Sequence, residues 1–322
     1  MKIKNKRILL TGGAGFIGST LAKKLVRENE IVVYDNFARD SISDKKINSE
    51  NLRIVKDDIL NLESLRKTCE EFKPQIVVHM AAIAGIDTVI INPVKTLDVN
   101  INGTLNLLKA LEKYSGKLER VLDFSTSEVL GAYAYKSTEK SSTNFAPVGE
   151  ARWTYSISKV AGEHILHSYY KQFGYPVVTI RPFNIYGPGQ VGEGAIQIFI
   201  KNVVKNKNIQ IHGDGDQIRS WCYIDDMING VELCLTNKKA IGEVINIGNP
   251  KGTITISSLA EKIVTLTKSK SKIIHIPKNY VDVELRIPSI EKAKELLGFY
   301  PKVDLNEGIL KTYQWYKKNM NK

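Results

Sequence analysis

Apolar residues in this chain come in short runs separated by longer stretches with helical spacing. Ile8-Leu9-Leu10 enters the turn Thr11 to Gly18, and Ser19 to Val26 is helically patterned before the run Ile31 to Tyr34. Further runs lie at Leu52 to Val55, Ile76 to His79, Val121 to Ser125 and Val177 to Ile180. Helical patterns at Leu62 to Phe72, Ile101 to Tyr114 and Tyr155 to Phe173 stand between them. Unbroken apolar runs suit strands buried on both faces. Strands alternating with helices of about 10 to 15 residues predict a doubly wound parallel sheet, so the expected fold class is α/β.

The rhythm changes after Arg181-Pro182. Gly187-Pro188-Gly189 and Gly213-Asp214-Gly215 mark loops around a helix at Ala195 to Val204, and Glu243 to Ile247 reads as a strand returning to the first sheet. Ser257 to Thr267 and Ile290 to Leu297 are helical, the latter stopped by Gly298 with Pro301 just beyond. A smaller α/β lobe interleaved with the sheet domain follows. Residues 1–180 plus about 222–250 form the first unit, and about 181–221 plus 251–322 the second. No repeat or low-complexity tract interrupts either.

Composition narrows the class. With 322 residues, 43% hydrophobic and 25% charged, the chain can build a large core and wholesale disorder is excluded. No window approaches the roughly 20 apolar residues of a membrane helix, and the apolar stretch near Lys2 to Arg7 is too short for a secretory signal. The net charge of +12 comes from scattered lysines. The densest groups, Lys2 to Arg7, Lys268 to Lys272 and Lys317 to Lys322, lie at the ends or in a Ser/Lys turn. Trp153, Trp221 and Trp315 are dispersed, so no nucleic-acid surface is expected. Cys69, Cys222 and Cys234 lack CxxC spacing and the five His form no HxxxH pair, which argues against a disulfide framework or a metal site. A soluble cytoplasmic protein that binds neither metal nor membrane is the expectation.

Candidate chemistry begins at Gly12, Gly15 and Gly18, a GxxGxxG between a strand and a helix. Such glycines let backbone N–H groups and a helix N-terminus approach a pyrophosphate. Asp35 closes the second strand 17 residues after Gly18, where an acid accepts hydrogen bonds from the adenosine ribose and repels a 2′-phosphate. Together they predict a Rossmann-type site for NAD, with Asp58 and Ile59 near the adenine. A second constellation is Tyr155 and Lys159, at i and i+4 on one helix face. An ammonium beside a phenol favours the phenolate, a base able to take a hydroxyl proton. Ser125-Thr126-Ser127-Glu128 ends a strand where ligands bind in open α/β sheets. His79 reads as a core or loop histidine and Cys222 as inert packing.

These motifs, with His79-Met80-Ala81-Ala82, Asn100 and Gly103-Thr104, Arg181 to Gly189, Gly213 to Arg219, Arg286 and the Lys294 to Pro301 tail, resemble the extended short-chain dehydrogenase/reductase family. The similarity is to its sugar-nucleotide epimerase, dehydratase and decarboxylase branch. It implies that NAD is held by Gly12, Gly15, Phe16, Ile17, Gly18, Asp35, Asn36, Asp58 and Ile59, and further by Ala81, Ala82, Asn100, Tyr155, Lys159 and Pro182. It implies that Tyr155 deprotonates a sugar hydroxyl at C4, that Lys159 lowers the tyrosine pKa and binds the nicotinamide ribose, and that Thr126 bonds the reacting oxygen. Arg152, Asn184, Gln197 and Arg219 are implied as substrate contacts, and Arg286 as a ligand of a substrate carboxylate, a proton donor or a phosphate ligand.

The resemblance also bears on the reaction. Related 4,6-dehydratases carry Thr-Asp-Glu where this chain has Thr126-Ser127-Glu128, and serine cannot act as a carboxylic acid for a departing hydroxyl. Thr-Ser-Glu, Arg152 to Lys159 and Asp282 to Ile290 are similar to UDP-glucuronic acid decarboxylases, in which Glu128 would orient the sugar. The expected function is decarboxylation of UDP-glucuronate. The alternatives are 4-epimerisation, a C4 dehydrogenase that releases the keto-sugar, GDP- or dTDP-linked substrates, and a non-catalytic NAD-binding regulator. The helices Ile101 to Tyr114 and Tyr155 to Phe173 resemble the pair that forms the family's homodimer.

Overall fold

The computed structural model describes residues 2–145, 148–278 and 282–320, so Lys322 of the C-terminal basic group lies outside them. Seven strands form the main sheet: β1 (Arg7–Thr11), β2 (Glu30–Asp35), β3 (Leu52–Lys56), β4 (Ile76–His79), β5 (Arg120–Phe124), β6 (Val177–Pro182) and β7 (Val244–Ile247). All neighbours are parallel, in the order β3-β2-β1-β4-β5-β6-β7. This is the doubly wound order of dinucleotide-binding sheets, with its reversal point beside β1. The returning strand is present, shortened to begin at Val244.

Alternation along the strands builds two apolar layers. Ile8, Leu10, Val78, Leu122 and Val178 pack on one face with α1 (Phe16–Leu25). Leu9, Val32, Val77, Val121 and Val177 pack on the other with α2 (Leu62–Phe72), α3 (Gly103–Leu111) and α4 (Ala151–Phe173). The first layer continues without a break into α5 (Ala195–Val204), α6 (Ile224–Thr236), α7 (Ile256–Thr267) and α8 (Leu305–Met320). The C-terminal portion thus shares one hydrophobic cluster with the sheet.

Several elements differ from the sequence pattern. The pattern for Ile101 to Tyr114 resolves into a wide turn at Asp98–Asn102, α3, and a tight turn at Glu112–Lys117, because Asn102-Gly103 and Ser115-Gly116 are weak helix formers. A four-stranded sheet, ordered Thr253–Thr255, Ile218–Ser220, Leu285–Pro288, Tyr133–Ser137, has strands too short to show in hydropathy. Its last strand comes from the first half of the chain.

Helix α4 is fixed to the sheet by charge as well as by apolar contact. Arg181 of β6 donates to both carboxylate oxygens of Glu163, at 2.8 and 2.7 Å, and the Ser125 hydroxyl donates to the same group. Tyr155, Lys159 and Glu163 lie four residues apart, so this clamp sets the rotation of the face that carries all three. Because removing one partner strands a buried charge, Arg181→Met is expected to destabilise the fold by about 3 to 5 kcal/mol. The double variant Arg181→Met/Glu163→Leu should recover most of that loss, as read by denaturant unfolding.

Candidate active site

The turn after β1 is shaped for close backbone approach. Gly12 adopts φ +69° and its N–H donates to the Tyr34 carbonyl at 2.9 Å; a Cβ there would stand 2.5 Å from the Ala81 nitrogen. A Cβ on Gly18 would stand 2.6 Å from the Gly13 Cα, so this glycine seats α1 against the turn. A Cβ on Gly15 would meet nothing nearer than the Gly12 oxygen at 3.4 Å, which leaves the helix entrance open. No side chain caps α1 and its first turn has no acid, an arrangement suited to an anion.

Asp35 ends β2 beside this turn. Its carboxylate accepts from the Ala14 N–H at 2.9 Å and the Phe37 N–H at 2.7 Å, while burial lifts its pKa above the ordinary value. Asn36 donates to Asp58 at 3.0 Å. A cleft of about 580 Å³ runs from here to Tyr155 and Lys159. Its walls include Gly12, Gly15, Phe16, Ile17, Gly18, Asp35, Asn36, Ile59, Ala81, Ala82, Tyr155, Lys159 and Pro182.

Two expected cofactor residues stand behind the wall. Asp58 orients Asn36 and accepts from the Leu60 N–H. Asn100 is buried, bonds both the N–H and the carbonyl of Ile83, and donates to Ser158 of α4 at 2.9 Å. It therefore ties the loop after β4 to the helix carrying Tyr155 and Lys159. His79 lies nearby, fully enclosed. The Thr104 hydroxyl gives its proton to the Asn100 carbonyl at 2.7 Å, so it accepts from His79 Nε2–H at 3.1 Å, and Nδ1 accepts from Thr11 at 2.7 Å. Burial and the charge of Lys159 lower the imidazole to about pKa 3, which keeps it neutral. Burial raises the Cys222 thiol, consistent with packing rather than reactivity.

At the far end of the cleft Thr126 begins a tight turn, Ser127–Leu130, accepting the Glu128 N–H at 3.2 Å. Its side chain also hydrogen-bonds Tyr155. Ser127 is buried at the start of the turn. The expectation of a lowered tyrosine pKa is reversed here. Desolvation raises the phenol above its ordinary value, and Glu128 adds to this, against Thr126, Arg39 and Arg286.

Beyond Tyr155 the side chains form a web of charge. Arg152 bonds Glu128 at 3.1 Å and Asp282 at 2.8 Å; Arg219 bonds the same Asp282 oxygen at 3.1 Å; Arg286 approaches Glu128 at 3.4 Å. The three arginines are buried, and Nε of Arg152 and of Arg286 have no acceptor among the described residues. Burial lowers Arg286 to about pKa 10, with Glu128 opposing. Arg219 also donates to the carbonyls of Ile218, Val283 and Glu284, which commits most of its fork to the protein. Asn184, at φ +39°, donates to the Ser220 carbonyl. Gln197 is not in this group: its amide bonds the Gln190 carbonyl at 2.5 Å and its side chain bonds Tyr316.

Sequence reasoning missed other members of the site. Arg39 bonds the Ala84 carbonyl at 2.6 Å and lies 3.7 Å from Glu193, joining three loops at the cleft wall. Neither residue belongs to a motif, so no local signal marks them. Asp282 stands in a quoted stretch, but only contact reveals its role.

The glycine turn, the uncapped helix, Asp35 and the cleft fit a dinucleotide in size and donor set. Residues 8–248 match the model of the NAD dependent epimerase/dehydratase family. The chain is 33% identical to UDP-N-acetyl-alpha-D-glucosaminuronate decarboxylase of Bacillus cytotoxicus, over 98% of this chain and 99% of that one. It is 36% identical to UDP-glucuronic acid decarboxylase 6 of Arabidopsis thaliana, over 95% and 87%. Among solved structures, UDP-glucuronic acid 4-epimerase of Bacillus cereus, in complex with UDP-glucuronic acid and NAD, superposes with a TM-score of 0.86 at 31% identity, covering 97% of this chain and 99% of that one.

A Rossmann sheet with a tyrosine–lysine helix beside the cofactor cleft defines an NAD-dependent enzyme of the extended short-chain dehydrogenase/reductase type. The chain belongs to the NAD-dependent epimerase/dehydratase family. Among the described residues no acidic, His or Cys cluster could hold a metal, and no helix is long and apolar enough to cross a membrane.

Gly12→Ala is expected to lose most of its bound dinucleotide, because the new Cβ meets backbone rather than a movable side chain. Ultraviolet absorbance of nucleotide released on denaturation measures this, and retention equal to wild type contradicts it.

Proposed function

We propose that this enzyme oxidises the C4 hydroxyl of a UDP-linked uronic acid and then releases the C6 carboxylate as carbon dioxide. The observation that carries the reading is the charge balance beyond Tyr155. Among the described residues, Arg152, Arg219 and Arg286 face the carboxylates of Glu128 and Asp282 alone, which leaves one positive charge and two guanidinium N–H donors without a partner there. A substrate carboxylate supplies the missing acceptors. Relatives that act on UDP-uronic acids support it.

Tyr155 takes the C4 hydroxyl proton, with Thr126 holding the reacting oxygen and Lys159 contributing positive charge from one turn below. What bound NAD supplies is reversible hydride exchange with the sugar carbon; Gly12, Gly15 and Asp35 would hold it. The resulting ketone lies β to the carboxylate, so breaking the C5–C6 bond sends its electron pair toward the ketone oxygen while carbon dioxide leaves. Arg286, whose proton is loosened by burial, would protonate C5. The phenol that Tyr155 becomes on taking that proton returns it to the C4 oxygen when the ketone is reduced. Ser127 offers no carboxylic acid, which disfavours 4,6-dehydration.

The same site serves a second reading, 4-epimerisation of the uronate, as in the neighbour from Bacillus cereus. It differs in leaving the carboxylate in place. We also assign residues 1–180 with about 222–250 to NAD and the remainder to the nucleotide sugar. A homodimer would pair through Ile90, Ile91, Val94, Leu97 and Ile157, exposed on and beside α4. Three free buried cysteines suit a reducing cytoplasm.

Incubation with UDP-glucuronate is expected to release carbon dioxide and yield a UDP-pentose. An inverted uronate without gas selects epimerisation, and no reaction with any UDP-, GDP- or dTDP-sugar refutes the assignment. Tyr155→Phe should retain NAD yet lose about 10²- to 10⁴-fold in turnover.

A further inference from the structure

One stretch of the cofactor cleft is walled by contacts that the reaction above does not use. Arg39 from the loop after β2, Thr88 from the chain after β4 and Glu193 from the loop ahead of α5 line the same cavity as Gly12, Gly15 and Asp35. Arg39 Nη2 donates to the Ala84 carbonyl at 2.6 Å and to the Thr88 hydroxyl at 3.3 Å. Glu193 accepts from that hydroxyl at 3.0 Å and from the Asp87 N–H at 3.1 Å, and it lies 3.7 Å from Arg39. One carboxylate thus fastens its own loop to two others.

Glycines keep room for this fastening. Gly85 at φ +98° and Gly192 at φ +88° hold backbone conformations that side chains disfavour. A Cβ on Gly85 would stand 2.6 Å from Glu193 Oε1, and one on Gly192 would stand 2.8 Å from Arg39 Nη1. The loop itself is anchored at both ends. Upstream, the buried Ser41 hydroxyl donates to the Gly189 carbonyl at 2.7 Å and Tyr316 donates to the Gln190 carbonyl at 2.8 Å; downstream, α5 begins. Residues 191–194 span the interval, tied by Glu193 to Arg39 and to the chain after β4. The tie is of a kind that opens. The side chains of Arg39 and Glu193 are 37 and 30% exposed, so parting returns each charge to water at small cost. The Arg181–Glu163 clamp, at 9% exposure on both sides, has no such route.

We propose that Glu193 is a latch: its contacts with Arg39, Thr88 and Asp87 hold residues 191–194 closed along the cofactor cleft, and their release lets NAD pass in and out. The latch concerns the cofactor alone, so it stands whichever sugar reaction follows oxidation. Its kinetic signature differs from that of a residue that touches the bound dinucleotide. A latch sets a barrier common to entry and exit, so breaking it speeds both and leaves affinity nearly unchanged. A lost contact speeds exit alone and weakens affinity in step. The sign of the charge separates the two further, since a carboxylate repels a pyrophosphate and removing it as a direct neighbour would slow release.

Exchange of radiolabelled NAD on the holoenzyme tests the proposal and needs no sugar nucleotide. Chased with excess unlabelled NAD, Glu193→Ala should release its label about tenfold faster than wild type, since two hydrogen bonds and an ion pair are lost together. Its Kd, from equilibrium dialysis, should change by less than about threefold. Thr88→Val deletes only the relaying hydroxyl and should speed release by about threefold, which keeps the test open where Glu193→Ala does not fold. The double variant Arg39→Ala/Glu193→Ala should release no more than about twofold faster than the faster single, because both open one latch. Release at or below the wild-type rate overturns the proposal. So does a Kd that weakens in proportion to the faster release, which marks these side chains as cofactor contacts instead.

Discussion

The bidentate bond between Arg181 and Glu163 is the constraint on which the rest of the site depends. It joins the sixth sheet strand to the long helix, with Ser125 of the adjoining strand end on the same carboxylate. A helix resting on apolar contacts alone can rotate by small steps at little cost. One locked by a buried fork cannot, and Tyr155 and Lys159 share the locked face. The hydrophobic layer of Leu166, Leu107 and Val177 fixes the distance between helix and sheet, whereas the ion pair fixes the angle.

Positive charge is divided into two populations in this protein. The scattered lysines behind the net +12 are mostly solvated, and pairs such as Lys113 with Glu70 or Lys311 with Glu307 contribute little. Arg152, Arg219 and Arg286 are withdrawn from water and share two carboxylates. Contacts within this group are geometrically specific in a way that those of the solvated lysines are not, since low dielectric strengthens each one and a guanidinium has fixed donor directions. Net charge therefore says little about any site, because it is dominated by the solvated group.

Much of the fold was legible. Runs such as Ile8-Leu9-Leu10 and Ile76 to His79 are apolar on both faces because helices cover both sides, and that leaves a trace in one dimension. The short strands Ile218–Ser220 and Leu285–Pro288 leave none, since three or four residues are too few to show a period. The helix pattern at Ile101 to Tyr114 was legible in kind but not in continuity, because hydropathy is blind to the backbone cost of its glycines and asparagine.

Within the site, local chemistry was read and assembled chemistry was not. GxxGxxG, the strand-end acid and the Tyr155–Lys159 spacing are each set by geometry within one or two elements, so the linear chain determined them. Asp282 bridging two arginines, Arg39 reaching Glu193 and Asn100 working behind the cleft wall join residues from separate elements, many of them far apart in the chain. The ionisation of Tyr155 was misjudged for the same reason: a neighbouring lysine is visible in sequence, but desolvation is a property of everything packed around the phenol. The sequence by itself determined the strands, the glycine turn and the Tyr155–Lys159 spacing on one helix face, because these rest on short-range periodicity and steric need. Only the tertiary structure decided which charges are buried, and with whom, because burial belongs to no single segment.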